Sequence, residues 1–307
     1  MGPKVLSPSD TLRRVTHGWV TPRPRNMAGQ RYRRGVMLDG LMVADQSVEI
    51  DGRILRYCLY GPADGFPIIS HNGTPSTRWR RPDQIEAMHQ SGVRVLMPDR
   101  PGYGDSTRCP GRSVANVAED VRVLADAQGW DRFAVFGGSG GGPHALACAA
   151  LLPERVIRCA VLAGIRPTEE AEPPDEQTLR PRLEQIARDI MAKVEAGGPE
   201  MPGMPPGPPA RDDPAAMARL RATFIDSLDG WVDDKIAFAR PWGFAMPDGA
   251  VPVGIWYGTH DENVRSEHAQ WLLAHIPGAR GRQYTGGHMP GPDTSREIFD
   301  WLRGSSD

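Results

Sequence analysis

The sequence predicts an α/β fold, in which a mostly parallel, eight-stranded sheet is flanked by helices and a helical cap is inserted before the last two strands. Three observations predict it. From about residue 47, short β-rich runs alternate with longer helical patterns, as is typical of a parallel sheet covered by helices. The alternation stops between residues 166 and 247, where helix-like segments replace it. A glycine-rich turn, residues 137–142, directly follows an apolar strand.

The chain divides into an N-terminal extension (1–45), a core formed by 46–165 together with 248–307, and a cap (166–247). The extension carries eight Lys and Arg residues against three Asp residues, beside several Pro and Gly, so we expect a basic, solvated arm. With 307 residues, 39% hydrophobic and 24% charged, the rest is expected to build one main core and its insertion.

Each element is predicted from its local pattern. The eight predicted strands are 47–50, 53–60, 68–70, 93–97, 133–136, 157–163, 253–257 and a weaker one that ends at Tyr284. Within the cap, helical patterns cover about 180–196, 214–228 and 231–239. The Pro- and Gly-rich segment 197–209 can continue neither a helix nor a central strand, so it is a loop, either a movable lid or a spacer.

Several function classes are disfavoured by composition. The net charge of −2 gives no reason to expect a nucleic-acid partner. No apolar run approaches a membrane span and the N-terminus has no secretory signal pattern, so a cytoplasmic protein is expected. The four cysteines show no metal-type spacing and are expected to be free thiols; they are Cys58, Cys109, Cys148 and Cys159. No metal or cofactor is predicted.

Ser139 is the predicted nucleophile. It stands at the centre of a G-x-S-x-G pattern, Gly137 to Gly141, between an apolar strand and an Ala-rich helix. The sharp turn needs small flanking residues, and the helix start directs N–H groups towards the place where an oxyanion would develop. Gly140 is therefore predicted to donate one oxyanion-hole N–H. A Walker phosphate loop would require Gly-Lys-Ser/Thr, which is absent here.

A serine hydroxyl needs a base, and His288 is predicted to supply it from the glycine-rich loop after the last strand. His71 is the rival, although its early position fits support of the oxyanion loop better. Asp261, which follows the strand 253–257, is the predicted acid that orients the imidazole. If Asp261 proved dispensable, Glu169 and Glu170 would be the alternatives. Other cap carboxylates are expected to cap or solvate helices; they are Asp229, Asp233 and Asp234.

The second oxyanion donor is predicted in the loop after the third strand, whose sequence is Ser70-His71-Asn72-Gly73-Thr74-Pro75. The backbone N–H of Thr74 is the predicted donor. An ordinary Asn-Gly turn is the alternative interpretation of this segment, so the assignment depends on the serine motif.

Taken together, these segments resemble the α/β-hydrolase superfamily, specifically a bacterial branch whose oxyanion segment reads H-G-T-P-G. The resemblance covers about residues 47–304 and includes the run Met97 to Ser106, the segment Leu152 to Val156 and the segment Arg240 to Phe244. Asn72 stands where that branch usually has His, and Ser76 where it usually has Gly. These two departures put specificity in question more than activity.

The resemblance implies a Ser-Asp-His triad that acts without a cofactor, through an acyl-enzyme, on esters or related carbonyl compounds such as lactones and thioesters. Methionine and aromatic residues of the cap helices predict an apolar group on this small-molecule substrate, or else simply pack the cap against the sheet domain; they are Met191, Met217, Phe224, Trp231 and Phe238. Relatives that hydrolyse epoxides or haloalkanes need an aspartate at the nucleophile position, where this chain has Ser139. A proline iminopeptidase-like peptidase remains an alternative and would need a carboxylate cluster in the cap to hold a free amine. A non-hydrolytic cyclase or ligand-binding protein remains a further alternative.

Overall fold

The computed structural model describes residues 32–38, 41–168, 172–198, 210–224 and 226–305. Its nine strands form one sheet in the order β1-β2-β3-β5-β4-β6-β7-β8-β9. The strands are β1 (Tyr32–Leu38), β2 (Leu41–Ile50), β3 (Arg53–Tyr60), β4 (Phe66–His71), β5 (Val93–Pro98), β6 (Phe133–Gly138), β7 (Val156–Leu162), β8 (Val253–Gly258) and β9 (Arg280–Tyr284).

The sheet is antiparallel from β1 to β5 and parallel from β5 onward through β4, β6, β7, β8 and β9. The carboxyl ends of β4, β6, β8 and β9 consequently meet at one edge. In open α/β sheets this edge is where ligands bind. The loops that carry Thr74, Ser139, Asp261 and His288 all begin there.

Eight α-helices in the described part of the chain cover the sheet and form the insertion. They are α1 (Pro82–Gln90), α2 (Val117–Gln128), α3 (Gly142–Leu151), α4 (Glu176–Glu195), α5 (Pro214–Phe224), α6 (Asp229–Phe238), α7 (Ser266–His275) and α8 (Pro292–Arg303). Helices α2, α3 and α7 pack on one face of the sheet, whereas α1 and α8 pack on the other. Helices α4, α5 and α6 lie between β7 and β8 in the chain and share a third apolar cluster.

Alternation along the strands explains why both faces are covered. On β8, Ile255 packs into the cluster on one face and Trp256 into the cluster on the other, and both are fully buried. β6 is apolar without alternation because Phe133, Ala134 and Val135 are all completely buried in the middle of the sheet.

The α/β fold is confirmed, and the eight predicted strands correspond to β2 through β9. The difference lies in the predicted extension, because residues 32–38 form β1 and residues 41–45 begin β2. Asp45, at the end of that segment, is buried and ion-paired with Arg56 and Arg78. The predicted boundary at residue 45 is thus wrong, because residues 32–38 and 41–45 belong to strands of the sheet, and residues 1–31 lie outside the described part.

Within the described segments, no helix has the length and apolar character needed to cross a membrane. All four cysteines are free, as predicted. Cys58, Cys148 and Cys159 are buried, whereas Cys109 is partly exposed.

Candidate active site

Ser139 lies in a tight turn between β6 and α3, with a φ of +53°. That left-handed conformation is uncommon for a residue with a side chain and marks a constrained position. The flanking glycines make the turn possible. A Cβ on Gly137 would overlap the carbonyl of Gly141, and a Cβ on Gly141 would overlap the carbonyl of His71. Neighbouring backbone therefore packs against the turn from both sides.

His288 and Asp261 are in direct contact, with 2.8 Å between His288 Nδ1 and Asp261 Oδ2. The other carboxylate oxygen, Oδ1, accepts the backbone N–H groups of Asn263 and Val264, each at 2.9 Å. The Asp261 side chain is 1% exposed and that of His288 is 19% exposed. The carboxylate is thus fixed by its own loop, while the far side of the imidazole remains accessible.

The loop that carries His288 is attached to the ends of β8 and β9. The Tyr284 hydroxyl donates to the carbonyl of Gly287 at 3.1 Å and lies 3.3 Å from that of His288. The N–H of His260 donates to the Gly286 carbonyl at 2.8 Å. A Cβ on Gly258 would collide with the carbonyls of this loop, so glycine is required for their close approach.

The two predicted oxyanion residues, Thr74 and Gly140, are in contact. A Cβ built on Gly140 would overlap the Thr74 side chain, and one on Gly73 would lie 3.6 Å from Ser139 Cβ. The Thr74 N–H donates to no acceptor among the described residues. It is therefore available to a ligand beside Ser139.

Ser139 follows β6 and His288 follows β9, and β7 and β8 lie between these two strands in the sheet. Within the described residues no hydrogen bond joins the Ser139 hydroxyl to the His288 ring. In enzymes without bound substrate, such contacts are often long and tighten only in the complex. Glu169 and Glu170, the alternative acids, lie outside the described residues.

His71, the rival base, is buried between other side chains. Its Nε2 lies 3.5 Å from Cys148 Sγ, and its ring stacks on His144 with centroids 6.0 Å apart. Burial, followed by the charge of Arg100, lowers the pKa of His71 to about 3. An imidazole with so low a pKa is a poor proton acceptor near neutral pH. His288 is consequently the better-placed base.

A buried charge cluster next to the oxyanion loop was missed at the sequence level. Asp234 on α6 is fully buried and bonds to Arg100, Arg112, Tyr103 and Thr74. The expectation that Asp234 caps or solvates a helix is therefore wrong. Asp234 is one of two adjacent acids in an apolar helix, and Arg100 follows a buried strand. Neither signal alone indicates that the two side chains meet.

The apolar residues of the insertion mostly pack against one another. Met191, Phe224 and Trp231 belong to a buried cluster that also contains the Tyr103 ring. Phe238 differs, because its ring lies about 3.3 Å from a Cβ built on Gly140. Phe238 thus lies beside Gly140, one of the two predicted oxyanion residues. Residues 199–209 of the predicted lid loop lie outside the described residues.

Comparison with known proteins agrees with the fold. A family model described as the alpha/beta hydrolase fold matches residues 65–196, which run from β4 to the end of α4. The solved structure of a hydrolase from Pseudomonas aeruginosa PA01 superposes with a TM-score of 0.64 at 21% identity, covering 85% of this chain and 98% of that one.

Nine curated proteins match this chain by sequence, among them the following two. A non-heme chloroperoxidase of Streptomyces lividans is 31% identical over 119 residues, which is 38% of this chain. A haloalkane dehalogenase of Mycobacterium marinum is 25% identical over 80% of this chain and 88% of its own length. The chain spans 43% and 38% of the first two curated relatives that it matches. It has the α/β-hydrolase fold, and these comparisons support the superfamily assignment.

Proposed function

We propose that the chain is a serine hydrolase that cleaves a carboxylic ester or a related acyl bond, such as a lactone or thioester, through an acyl-enzyme. The observation that carries the proposal is the strained turn at Ser139. It adjoins the loop in which the Thr74 N–H has no acceptor among the described residues. The His288–Asp261 pair at the same sheet edge supports it. The superposed structure from Pseudomonas aeruginosa is named a hydrolase, which agrees with this chemistry in its general form.

In the acylation step, Ser139 Oγ attacks the carbonyl carbon while His288 Nε2 takes the hydroxyl proton. Asp261 keeps the proton of the neutral ring on Nδ1 and stabilises the imidazolium that forms. The carbonyl oxygen acquires negative charge and is stabilised by the N–H groups of Thr74 and Gly140. When the tetrahedral intermediate collapses, the bond to the leaving oxygen or sulfur breaks, and His288 returns the proton to it.

Deacylation repeats the sequence with water as the nucleophile. His288 removes a proton from water, the resulting hydroxide attacks the acyl carbon, and the same N–H groups stabilise the second intermediate. Collapse releases the carboxylic acid and returns the proton to Ser139 Oγ. Electrons and protons balance with water as the only co-reactant.

The proposed substrate class is a small molecule with an apolar acyl group. Phe238 adjoins Gly140, and Met289, next to the base, is 47% exposed. An exposed methionine next to His288 in the sequence and an aromatic ring beside Gly140 suit a substrate with an apolar group.

The geometry favours an esterase over a peptidase that holds a free amine. An ammonium group needs an unneutralised carboxylate, and the described acids of α4 and α6 near the core are paired with arginines. Glu176 and Asp229 contact Arg108 and Arg180, and Asp233 contacts Arg108. Asp234 contacts Arg100 and Arg112. Each acid already has a cationic partner.

The experiment that tests the proposal combines a fluorophosphonate probe with turnover of short p-nitrophenyl esters. We expect the wild-type protein to be labelled at Ser139 and to hydrolyse the esters. Ser139→Ala should abolish labelling and lower kcat by about 10⁴-fold or more, since the nucleophile is lost.

Ser295→Ala is the matched control, because Ser295 lies on α8, remote from the turn, and its hydroxyl donates only to the Gly291 carbonyl in the described residues. It should label and turn over like wild type. Near-wild-type turnover by Ser139→Ala, or a wild-type protein that neither labels nor hydrolyses any ester, would overturn the proposed function.

A further inference from the structure

Asp234 lies at the centre of a cluster that connects the insertion to the oxyanion loop. Its Oδ2 accepts the Thr74 hydroxyl at 2.7 Å and the Tyr103 hydroxyl at 2.9 Å. Its Oδ1 accepts an N–H of Arg112 at 2.5 Å. The carboxylate comes from α6, whereas its partners come from loops after β4 and β5, so one anion joins three segments of the chain.

Arg100 extends this cluster onto the backbone of the loop. Its Nη2 donates to Asp234 Oδ2 at 2.6 Å, to the Gly73 carbonyl at 3.0 Å and to Thr74 Oγ1 at 2.9 Å. Its Nη1 donates to the Asn72 carbonyl at 2.5 Å. The planar guanidinium therefore holds two consecutive carbonyls and the hydroxyl that follows them, an arrangement that the point charge of a lysine cannot reproduce.

We propose that Arg100 and Asp234 are positioning residues for the oxyanion hole, holding residues 72–74 so that the Thr74 N–H faces the substrate carbonyl. The inference rests on the proposed function and extends it. Because Arg100 binds the Gly73 carbonyl, the N–H of the same Gly73–Thr74 peptide points the opposite way, away from the guanidinium. That N–H donates to no acceptor among the described residues. Asp234 anchors the guanidinium and the Thr74 hydroxyl to α6, so the insertion takes part in shaping the hole.

The local chemistry agrees with a pre-organised, permanently charged cluster. Burial alone would raise the pKa of Asp234, but the charges of Arg100 and Arg112 lower it well below its usual range. The Asn72 side chain adds a second attachment, since its Nδ2 donates to the Pro98 carbonyl at 3.2 Å. The loop is thus held to β5 through the Asn72 side chain, in addition to the hydrogen bonds that Arg100 donates to its carbonyls.

Two variants test how Arg100 and Asp234 hold residues 72–74, and neither variant removes a charge. Thr74→Val keeps the shape and the backbone N–H but cuts the link to Asp234. Arg100→Lys keeps the charge but loses the planar guanidinium that binds both carbonyls.

Both variants are expected to act on kcat more than on KM. Loss of one oxyanion donor costs about 10²–10³-fold in kcat, so misplacing that donor should lower kcat by roughly 10–100-fold. KM for p-nitrophenyl esters should change less than about three-fold, because ground-state binding does not use the hole. Thr74→Ser should restore activity.

Tyr103→Phe is the matched control. It also removes one hydroxyl donor from Asp234 Oδ2, in a fully buried position, but Tyr103 makes no hydrogen bond to residues 72–74 among the described contacts. It should lower thermal stability about as much as Thr74→Val and leave kcat within a few-fold of wild type. A trifluoromethyl ketone, which forms a tetrahedral oxyanion adduct, should lose affinity in Thr74→Val and not in Tyr103→Phe.

The outcomes separate the two proposals. If wild type is active and Thr74→Val behaves like Tyr103→Phe in kcat and in ketone affinity, the positioning role is overturned while the hydrolase function stands. If wild type is neither labelled nor active, both proposals fall. A fall in kcat for Thr74→Val and Arg100→Lys, at unchanged KM and with rescue by Thr74→Ser, establishes the positioning role.

Discussion

The two carboxylate oxygens of Asp261 accept hydrogen bonds from different groups. Oδ1 is held by the N–H groups of Asn263 and Val264, while Oδ2 receives Nδ1–H of His288. Because the backbone fixes the carboxylate, the imidazole that binds it is fixed in both orientation and tautomer. The ring nitrogen that would receive the serine proton, Nε2, is therefore the one left free.

Residues that act as one unit lose activity non-additively. We expect His288→Ala to lower kcat by at least 10³-fold, and the double variant with Asp261→Ala to be within about three-fold of His288→Ala alone. Steady-state kinetics on one p-nitrophenyl ester would measure all three variants. Losses that multiply would contradict the pairing, and full activity of Asp261→Asn would direct attention to Glu169 and Glu170.

His71 and His144 form a second titratable pair, and their effect should be on stability. Burial is the main cause that lowers the pKa of His71 to about 3 and that of His144 well below its usual value. Below pH about 6.5 the unfolded chain binds protons on these rings that the folded chain does not. The free energy of unfolding should therefore fall as pH falls from about 6.5 towards 3.

We predict that His71→Gln makes the free energy of unfolding less dependent on pH. Each buried ring contributes a slope of up to about 1.4 kcal/mol per pH unit in that window, so removing one should lower the wild-type slope by as much. Urea unfolding between pH 7 and 4.5 would measure it, with His89→Gln on the exposed side of α1 as control. Equal slopes for wild type and His71→Gln would show that the buried ring does not couple to folding.

At the scale of single elements, the turn after β6 depends on particular glycines. A Cβ on Gly137 would overlap the Gly141 carbonyl and would lie 2.9 Å from Ala145 Cβ. Gly138 has extended backbone, with φ of −99°, and a Cβ there would meet nothing nearer than 3.9 Å. Gly137 thus has no room for a side chain, whereas the adjacent Gly138 does.

Gly137→Ala is expected to destabilise the protein by about 1–3 kcal/mol or more and to lower kcat, since the turn at Ser139 must shift. Gly138→Ala should fold and remain within a few-fold of wild-type kcat. Thermal denaturation and ester hydrolysis of the two variants measure both effects. A Gly138→Ala variant as damaged as Gly137→Ala would contradict the steric argument.

The elements that the sequence predicted and those that it missed differ in the kind of interaction that forms them. β6 and the Ser139 turn were predictable because the apolar residues of the strand, the glycines and Ser139 follow one another locally. β1 was missed because Arg33 and Arg34 resemble a solvated segment, whereas the strand forms through backbone pairing with β2. The cluster of Arg100 and Asp234, 134 residues apart, depends on tertiary packing that no local pattern encodes.

At the scale of the whole molecule, the candidate site lies far from the N-terminal edge of the sheet. Four strands, β2, β3, β5 and β4, separate β1 from β6, which leads into the Ser139 turn. β1 pairs only with β2 in the described sheet, whereas β2 also supplies Asp45 to the buried Arg78. The two strands should therefore differ in how much the molecule depends on them.

Removal of residues 1–40 is accordingly expected to leave kcat/KM for a short ester within about three-fold of wild type. It should lower Tm only modestly, because β2 simply becomes the edge strand.

Removal of residues 1–52 is the contrasting case. It deletes β2 and leaves Arg78, which is 2% exposed, without the Asp45 carboxylate. Arg78 keeps its buried partner Asp99, but the loss of the β2 pairing together with the Asp45 carboxylate should make this truncation unfold or aggregate. Differential scanning fluorimetry and ester hydrolysis on both truncations provide the comparison. If the first truncation stays folded but loses activity, the N-terminal segment contributes directly to catalysis, and the placement of the whole site at the carboxyl edge of β4, β6, β8 and β9 would be incomplete.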